Sequence, residues 1–205
     1  MFKTFFLNND YMTNLNYIVF FILIIVASVY ALFIKNEEKP SKGDIVSVDY
    51  STAEGKIFNK FYSQSLSIIS NYNLEISPAM ILSVIEKESY LNFLYKNNKD
   101  VLGDDNKSVG YMQVSNPAVI DTNRFYNKTF KFQDLFNEDI NLLVGSLYLN
   151  ICYLSAIKLN SSNSVWLAFK KYNGGNDETD FSINAMAVSY ANTAFKYYKK
   201  FSELT

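Results

Sequence analysis

IEKESYL, Ile85 to Leu91, closes the apolar run Met80-Ile81-Leu82-Ser83-Val84 with three charged residues. Ile81, Val84 or Ile85, and Glu88 follow spacings of three and four, which sets Glu88 in line with the apolar stripe of a helix. Glu86, two residues away and about 200° around the axis, should face water. Ser77-Pro78 marks the helix start: a side-chain acceptor at the N-cap, then proline at the first helical position. Glu88 falls in the last turn, where the negative end of the helix dipole and desolvation both disfavour an ionised carboxylate. A raised pKa is therefore expected, and a carboxylic acid kept protonated is what a general acid has to be. The alternative is a carboxylate paired with a lysine or arginine at the rim of the core.

Composition narrows what Glu88 can be used for. The 205 residues are 49% hydrophobic and 19% charged, which suits one globular domain with an appendage. With 7 glycines and 3 prolines, there is little room for long disordered linkers or a turn-rich all-β design. Net charge is −1 without a basic block, so nothing suggests phosphate neutralisation, and no nucleic-acid partner is expected. There is no histidine, which removes Ser-His-Asp and Cys-His nucleophiles and the usual zinc sites. The lone Cys152 lies in an apolar helical stretch and reads as a buried, inert thiol. Chemistry must run on carboxylates, amides and hydroxyls, with no metal and no cofactor expected.

Residues 1–16 read as a short N-terminal segment. Residues 17–34 (YIVFFILIIVASVYALFI) carry no charge over a length that fits a transmembrane anchor. A signal-peptide core, with Val29 and Ala31 as a cleavage site, is the competing reading, and would make the protein secreted. Lys35, Lys39 and Lys42 after the run, against Lys3 before it, lean weakly toward a cytoplasmic C-terminus. Residues 35–56, polar and holding Pro40, Gly43 and Gly55, read as a tether, and 57–205 as the main domain. That domain reads as mainly α. Helices are expected over Ile57–Ile69, Ser77 to about Tyr90, from about Asn137 through LLVGSLYLNICYLSAI, over Ser164–Tyr172 and over Ser182–Phe201. Residues 92–116 hold polar clusters and suit a short hairpin or a loop.

Three further stretches stand beside Glu88-Ser89: Gly110-Tyr111-Met112-Gln113, then Tyr172-Asn173-Gly174-Gly175, then Tyr190 in the last helix. Singly they read as a turn with a core methionine, a glycine C-cap and a packed tyrosine. In order and spacing they resemble the lytic transglycosylase domain of the soluble-transglycosylase type, a member of the lysozyme-like superfamily. That family's forms are Glu-Ser, Gly-Leu-Met-Gln, Ala-Tyr-Asn-Ala-Gly and a tyrosine in the final helix. Asp134-Leu135-Phe136-Asn137-Glu138-Asp139-Ile140-Asn141 through Gly145, Tyr148 and Leu149 also looks like the family's entry into its central helix. The match spans roughly 75–200. Tyr111 stands for leucine, Lys171 and Gly174 for alanines, and the insert between Glu88 and Gly110 is longer than in the shortest members.

The resemblance implies a lysozyme-like helical fold, of the goose-type lysozyme and transglycosylase kind, acting on peptidoglycan glycan strands. Glu88 would be the single general acid and base, cleaving the MurNAc-GlcNAc β-1,4 bond with help from the substrate's acetamido group to leave 1,6-anhydro-MurNAc. Tyr190 would orient Glu88, and Ser89 would support its surroundings. Asn173 and Gln113 would bind sugar amides or hydroxyls, and Tyr111, Met112 and Tyr172 would line the cleft, with Gly174 beside them. A lysozyme-type hydrolase is the nearest rival. It needs a second acid, for which Asp104 or Asp105 could serve, although Ser115 stands where goose-type lysozymes have an aspartate. A non-catalytic wall-binding or assembly protein is the rival from another class. Action on the wall places the domain outside the cytoplasmic membrane, held by its N-terminal helix, with an envelope-spanning machine as a conceivable partner.

Overall fold

The computed structural model describes residues 48–175 and 177–205, which form one compact unit. The expected N-terminal segment, the membrane anchor at 17–34 and most of the tether lie outside the described residues. The domain is mainly helical. Helix α1 (Ala53–Tyr72) begins four residues earlier than expected, because the Thr52 hydroxyl caps it by accepting from Gly55 N at 3.0 Å. Helix α2 (Pro78–Ser89) opens at Ser77 as expected, in extended backbone ahead of the proline, but the serine hydroxyl makes no capping bond. After α2 come two short 3-10 turns and a three-stranded antiparallel sheet: β1 (Leu102–Gly103), β2 (Ser108–Val109) and β3 (Val114–Ser115). Gly103 pairs with Ser108, and Ser108 in turn with Ser115.

Helix α3 (Asn116–Tyr126) was not expected, yet its opening repeats the signal at Ser77: extended Ser115, then Pro117 in the first turn. Helix α4 (Glu138–Lys158) is capped by Asn137, whose side-chain oxygen accepts from Ile140 N at 3.1 Å. It is long and apolar enough to cross a membrane, but most of it is buried as the central helix of the domain. Leu147, Leu149 and Cys152 on it have no exposed surface. Each such aliphatic side chain contributes about 1.5–3 kcal/mol by leaving water. Burial also pushes the Cys152 thiol up to about 12, in keeping with an inert core residue. Helix α5 (Ser164–Gly174) packs on α4, helix α6 (Ala185–Ser202) packs on α5, and α2 lies between α1 and α6.

That last arrangement overturns the expectation for Glu86. Ala79 through Glu86 are all buried, so α2 has no water-facing side over this stretch, and a turn of 200° from Glu88 leads into neighbouring helices. Glu86 is 4% exposed, and its Oε2 has no hydrogen-bond partner among the described residues. Burial raises its carboxyl from 4.5 to about 7; the Glu54 charge adds to the rise and Lys200 opposes it. A folded value above the unfolded one means the native state holds a proton that the unfolded chain releases. The resulting stability is fully present below about 4.5 and is lost as pH rises through about 7. Glu86→Gln should therefore gain on the order of 3 kcal/mol over wild type at pH 8 and little at pH 4, measured by denaturant unfolding at both values. An equal difference at both pH values would contradict this.

Candidate active site

Glu88 stands half-buried in the last turn of α2, and Ser89 ends the helix. The chain stops there because Tyr90 takes φ 49° and ψ −124°, a conformation that costs a non-glycine residue roughly 1–3 kcal/mol. Ser89 is buried and donates its hydroxyl to the Ile85 carbonyl at 2.9 Å, so it is tied to its own helix.

Two tyrosines from other helices complete the wall beside Glu88. Tyr172 of α5 and Tyr190 of α6 stack with ring centres 6.5 Å apart and planes 18° from parallel. Burial first, and the Glu88 charge second, hold both hydroxyls well above the ordinary phenol range. Tyr172 donates to the Met112 carbonyl at 2.8 Å, which links α5 to the loop before β3. The Tyr190 hydroxyl is enclosed, without a well-aligned partner among the described residues. Glu88 is the neighbour that acts on it, chiefly through charge and also as a hydrogen-bonding group. The structure thus brings Glu88, Tyr172 and Tyr190 together from three helices.

The loop Gly110-Tyr111-Met112-Gln113 supports that wall from behind. Gly110 has φ 83°, and a side chain there would run into Asn141. Asn141, 1% exposed on α4, donates to the Val109 carbonyl at 2.8 Å and accepts from Met112 N at 3.1 Å. Met112 is fully buried and lies against Gly145, where a Cβ would overlap it. Tyr111 is also buried; its ring meets Phe61 and Phe93, and its hydroxyl donates to the Lys96 carbonyl at 2.8 Å. Tyr111 thus ties down the segment that follows α2. Gln113 spends its amide inside the loop, donating to the Val101 and Gly110 carbonyls and accepting from the Ser108 hydroxyl. Here Tyr111, Met112, Gln113 and Ser89 hold the loop and helix together. Asn173, by contrast, is exposed.

Asn173 and Gly174 line a groove of about 630 Å³ with Lys87, Met186, Ser189 and Tyr190. A Cβ at position 174 would lie 2.6 Å from Glu178 Cγ and 2.8 Å from the Ala187 Cβ, so a side chain there would crowd both. Glu178 is itself fixed: it pairs with the fully buried Lys170 at 3.4 Å and accepts from Asn184 Nδ2 at 2.8 Å. Lys170 also donates to the Thr179 and Ser182 carbonyls. Sequence reasoning passed over this knot, although a lysine following Leu167-Ala168-Phe169 was a signal of a buried cation. A larger recess of about 790 Å³, bordered by Asn106, Ser115, Pro117 and Phe132, contains none of the motif residues except by proximity to β3. Asp105 is exposed in the turn between β1 and β2. No three His, Cys, Asp or Glu side chains cluster as a metal site would require, among the described residues.

The family described as "Transglycosylase SLT domain" matches residues 65–195, nearly two-thirds of the chain. Among solved structures, an inactive Glu-to-Gln mutant of lytic transglycosylase Slt from Pseudomonas aeruginosa is similar, with a TM-score of 0.52 and 15% identity. That likeness is one of fold. It covers 76% of this chain and 26% of the other, so this chain corresponds to about a quarter of that protein. No curated protein matches. Asn141→Ala would orphan the Val109 carbonyl and the Met112 N–H, and should cost roughly 2–4 kcal/mol in denaturant unfolding; a loss under 1 kcal/mol would contradict the support assigned to Asn141.

Proposed function

The chain belongs to the transglycosylase SLT family, and on that premise we propose that it is a peptidoglycan lytic transglycosylase with Glu88 as its only acid-base group. The observation that carries the reading is the half-buried Glu88 at a helix end, beside the enclosed hydroxyl of Tyr190 and next to an open groove.

Glu88, as a carboxylic acid, gives its proton to the oxygen joining MurNAc to GlcNAc, and the bond from that oxygen to muramic C1 breaks. The acetamido oxygen of the muramic acid bonds to C1 and carries the positive charge through the ring it forms. Glu88, now a carboxylate, takes the proton from the muramic 6-hydroxyl as O6 bonds to C1 and the acetamido oxygen leaves. The product is 1,6-anhydro-MurNAc, no water is consumed, and Glu88 ends protonated as it began. Tyr190 holds the carboxyl in place through both steps. Its neutral hydroxyl suits that task, since a phenolate beside Glu88 would repel it. Asn173, exposed on the groove wall, is the sugar-binding amide that the geometry favours over Gln113.

The charge-free run 17–34 anchors this domain to the cytoplasmic membrane with the active site outside, where peptidoglycan lies. Protease added to spheroplasts should digest the domain while sparing the anchor; a protected domain would contradict the orientation. Glu88→Gln should keep the fold and lower release of soluble fragments from purified peptidoglycan by ~10²–10⁴-fold. Wild-type release by a folded Glu88→Gln protein would sink the assignment.

A further inference from the structure

Resting on the activity proposed above, we infer that Lys87 anchors a subsite for a carboxylate carried on the lactyl branch of muramic acid. Lys87 is the only charged side chain among the residues lining the 630 Å³ groove. Its ammonium sits 4.9 Å above the ring centre of Tyr190, and it takes part in none of the ion pairs among the described residues. Three other lysines of the domain are paired: Lys60 with Glu138, Lys200 with Glu54, and Lys170 with Glu178.

Glu88, next to Lys87 in sequence and also beside Tyr190, begins the proposed reaction as the neutral acid, and the other acids near the groove are engaged elsewhere. Glu178 lies behind Gly174, engaged by Lys170, Ser182 and Asn184. Glu86, next to Lys87 in sequence, is buried on the side of α2 that meets Glu54 and Lys200. The groove therefore offers an anion a cation held over an aromatic face, with the exposed side chains of Asn173 and Ser189 on its walls.

The substrate supplies such an anion close at hand. The bond cut at Glu88 is at C1 of muramic acid, and C3 of the same ring carries the lactyl ether and its peptide stem. Glu88 and the Lys87 ammonium both border Tyr190, so a muramic acid seated on Glu88 carries that branch within one ring's width of the bond cut and toward the neighbourhood of Lys87. Stem peptides bear free carboxylates, and a stripped lactyl group bears one itself; the chemistry is the same.

The full-length protein, Lys87→Met and Lys87→Arg would be compared on three substrates: native peptidoglycan, the same material with its carboxylates amidated, and strands stripped of stems by an amidase. Lys87→Met should raise KM on native material about tenfold, a loss typical of a partly desolvated charge pair, with kcat little changed and Lys87→Arg close to wild type. On amidated material wild type should fall to the level of Lys87→Met. Dependence on Lys87 that persists on stripped strands means that the subsite also takes the lactyl carboxylate freed there, and dependence that vanishes there confines it to the stem carboxylates of native material. Equal losses for Lys87→Met on native and amidated material, or no loss on either, would overturn the inference while leaving the proposed activity standing. Wild-type protein inert on all three substrates would instead overturn that activity, and this inference with it.

Discussion

A helix enclosed by its neighbours can bring a carboxylate to the surface only where it ends. That constraint governs this domain. From Ala79 to Glu86 every side chain of α2 is buried, and only in the final turn, at Lys87 and Glu88, does the surface return. Tyr90 enforces the stop by taking a positive φ that no continuing helix allows. The apolar length of α2 fixes its position in the core, and its strained end brings Glu88 out beside Tyr190, which lines the groove.

The surroundings of Glu88 depend on contacts made far from it in sequence. Tyr172 and Tyr190 can stack beside it only because α5 and α6 pack together and because Tyr172 is pinned to the Met112 carbonyl. Met112 is set in turn by Asn141 and by the space that Gly145 leaves. On the other side, Lys170 and Glu178 hold the start of α6 against the end of α5, so Gly174 and Asn184 keep a fixed separation. Burying that ion pair is costly unless its remaining donors are satisfied. Here the Thr179 and Ser182 carbonyls receive them.

Much of this was legible in the chain. The Ser77-Pro78 start and the 3.6-residue periodicity announced five helices to within a few residues, and the ordered motifs pointed to the family. What escaped had physical reasons. The stripe argument sent Glu86 to water because it assumed one solvent face, and a helix wedged between α1 and α6 has none. Helix α3 was missed because its apolar positions are few, although Ser115 and Pro117 carried the same signal as Ser77 and Pro78. The resemblance made Gln113 a sugar-binding amide, whereas its side chain is bonded within its own loop. Its hydrogen bonds depend on a positive φ of 47° and on strands of two residues each, which no local pattern reveals.

The central claim is that one carboxylate suffices because the substrate provides its own nucleophile. The direct measurement is to digest purified peptidoglycan with the wild-type protein in heavy-oxygen water and weigh the products. The account predicts anhydro-muramic ends that contain no solvent oxygen. Reducing ends carrying one heavy oxygen would mean that water attacks C1, and would contradict it.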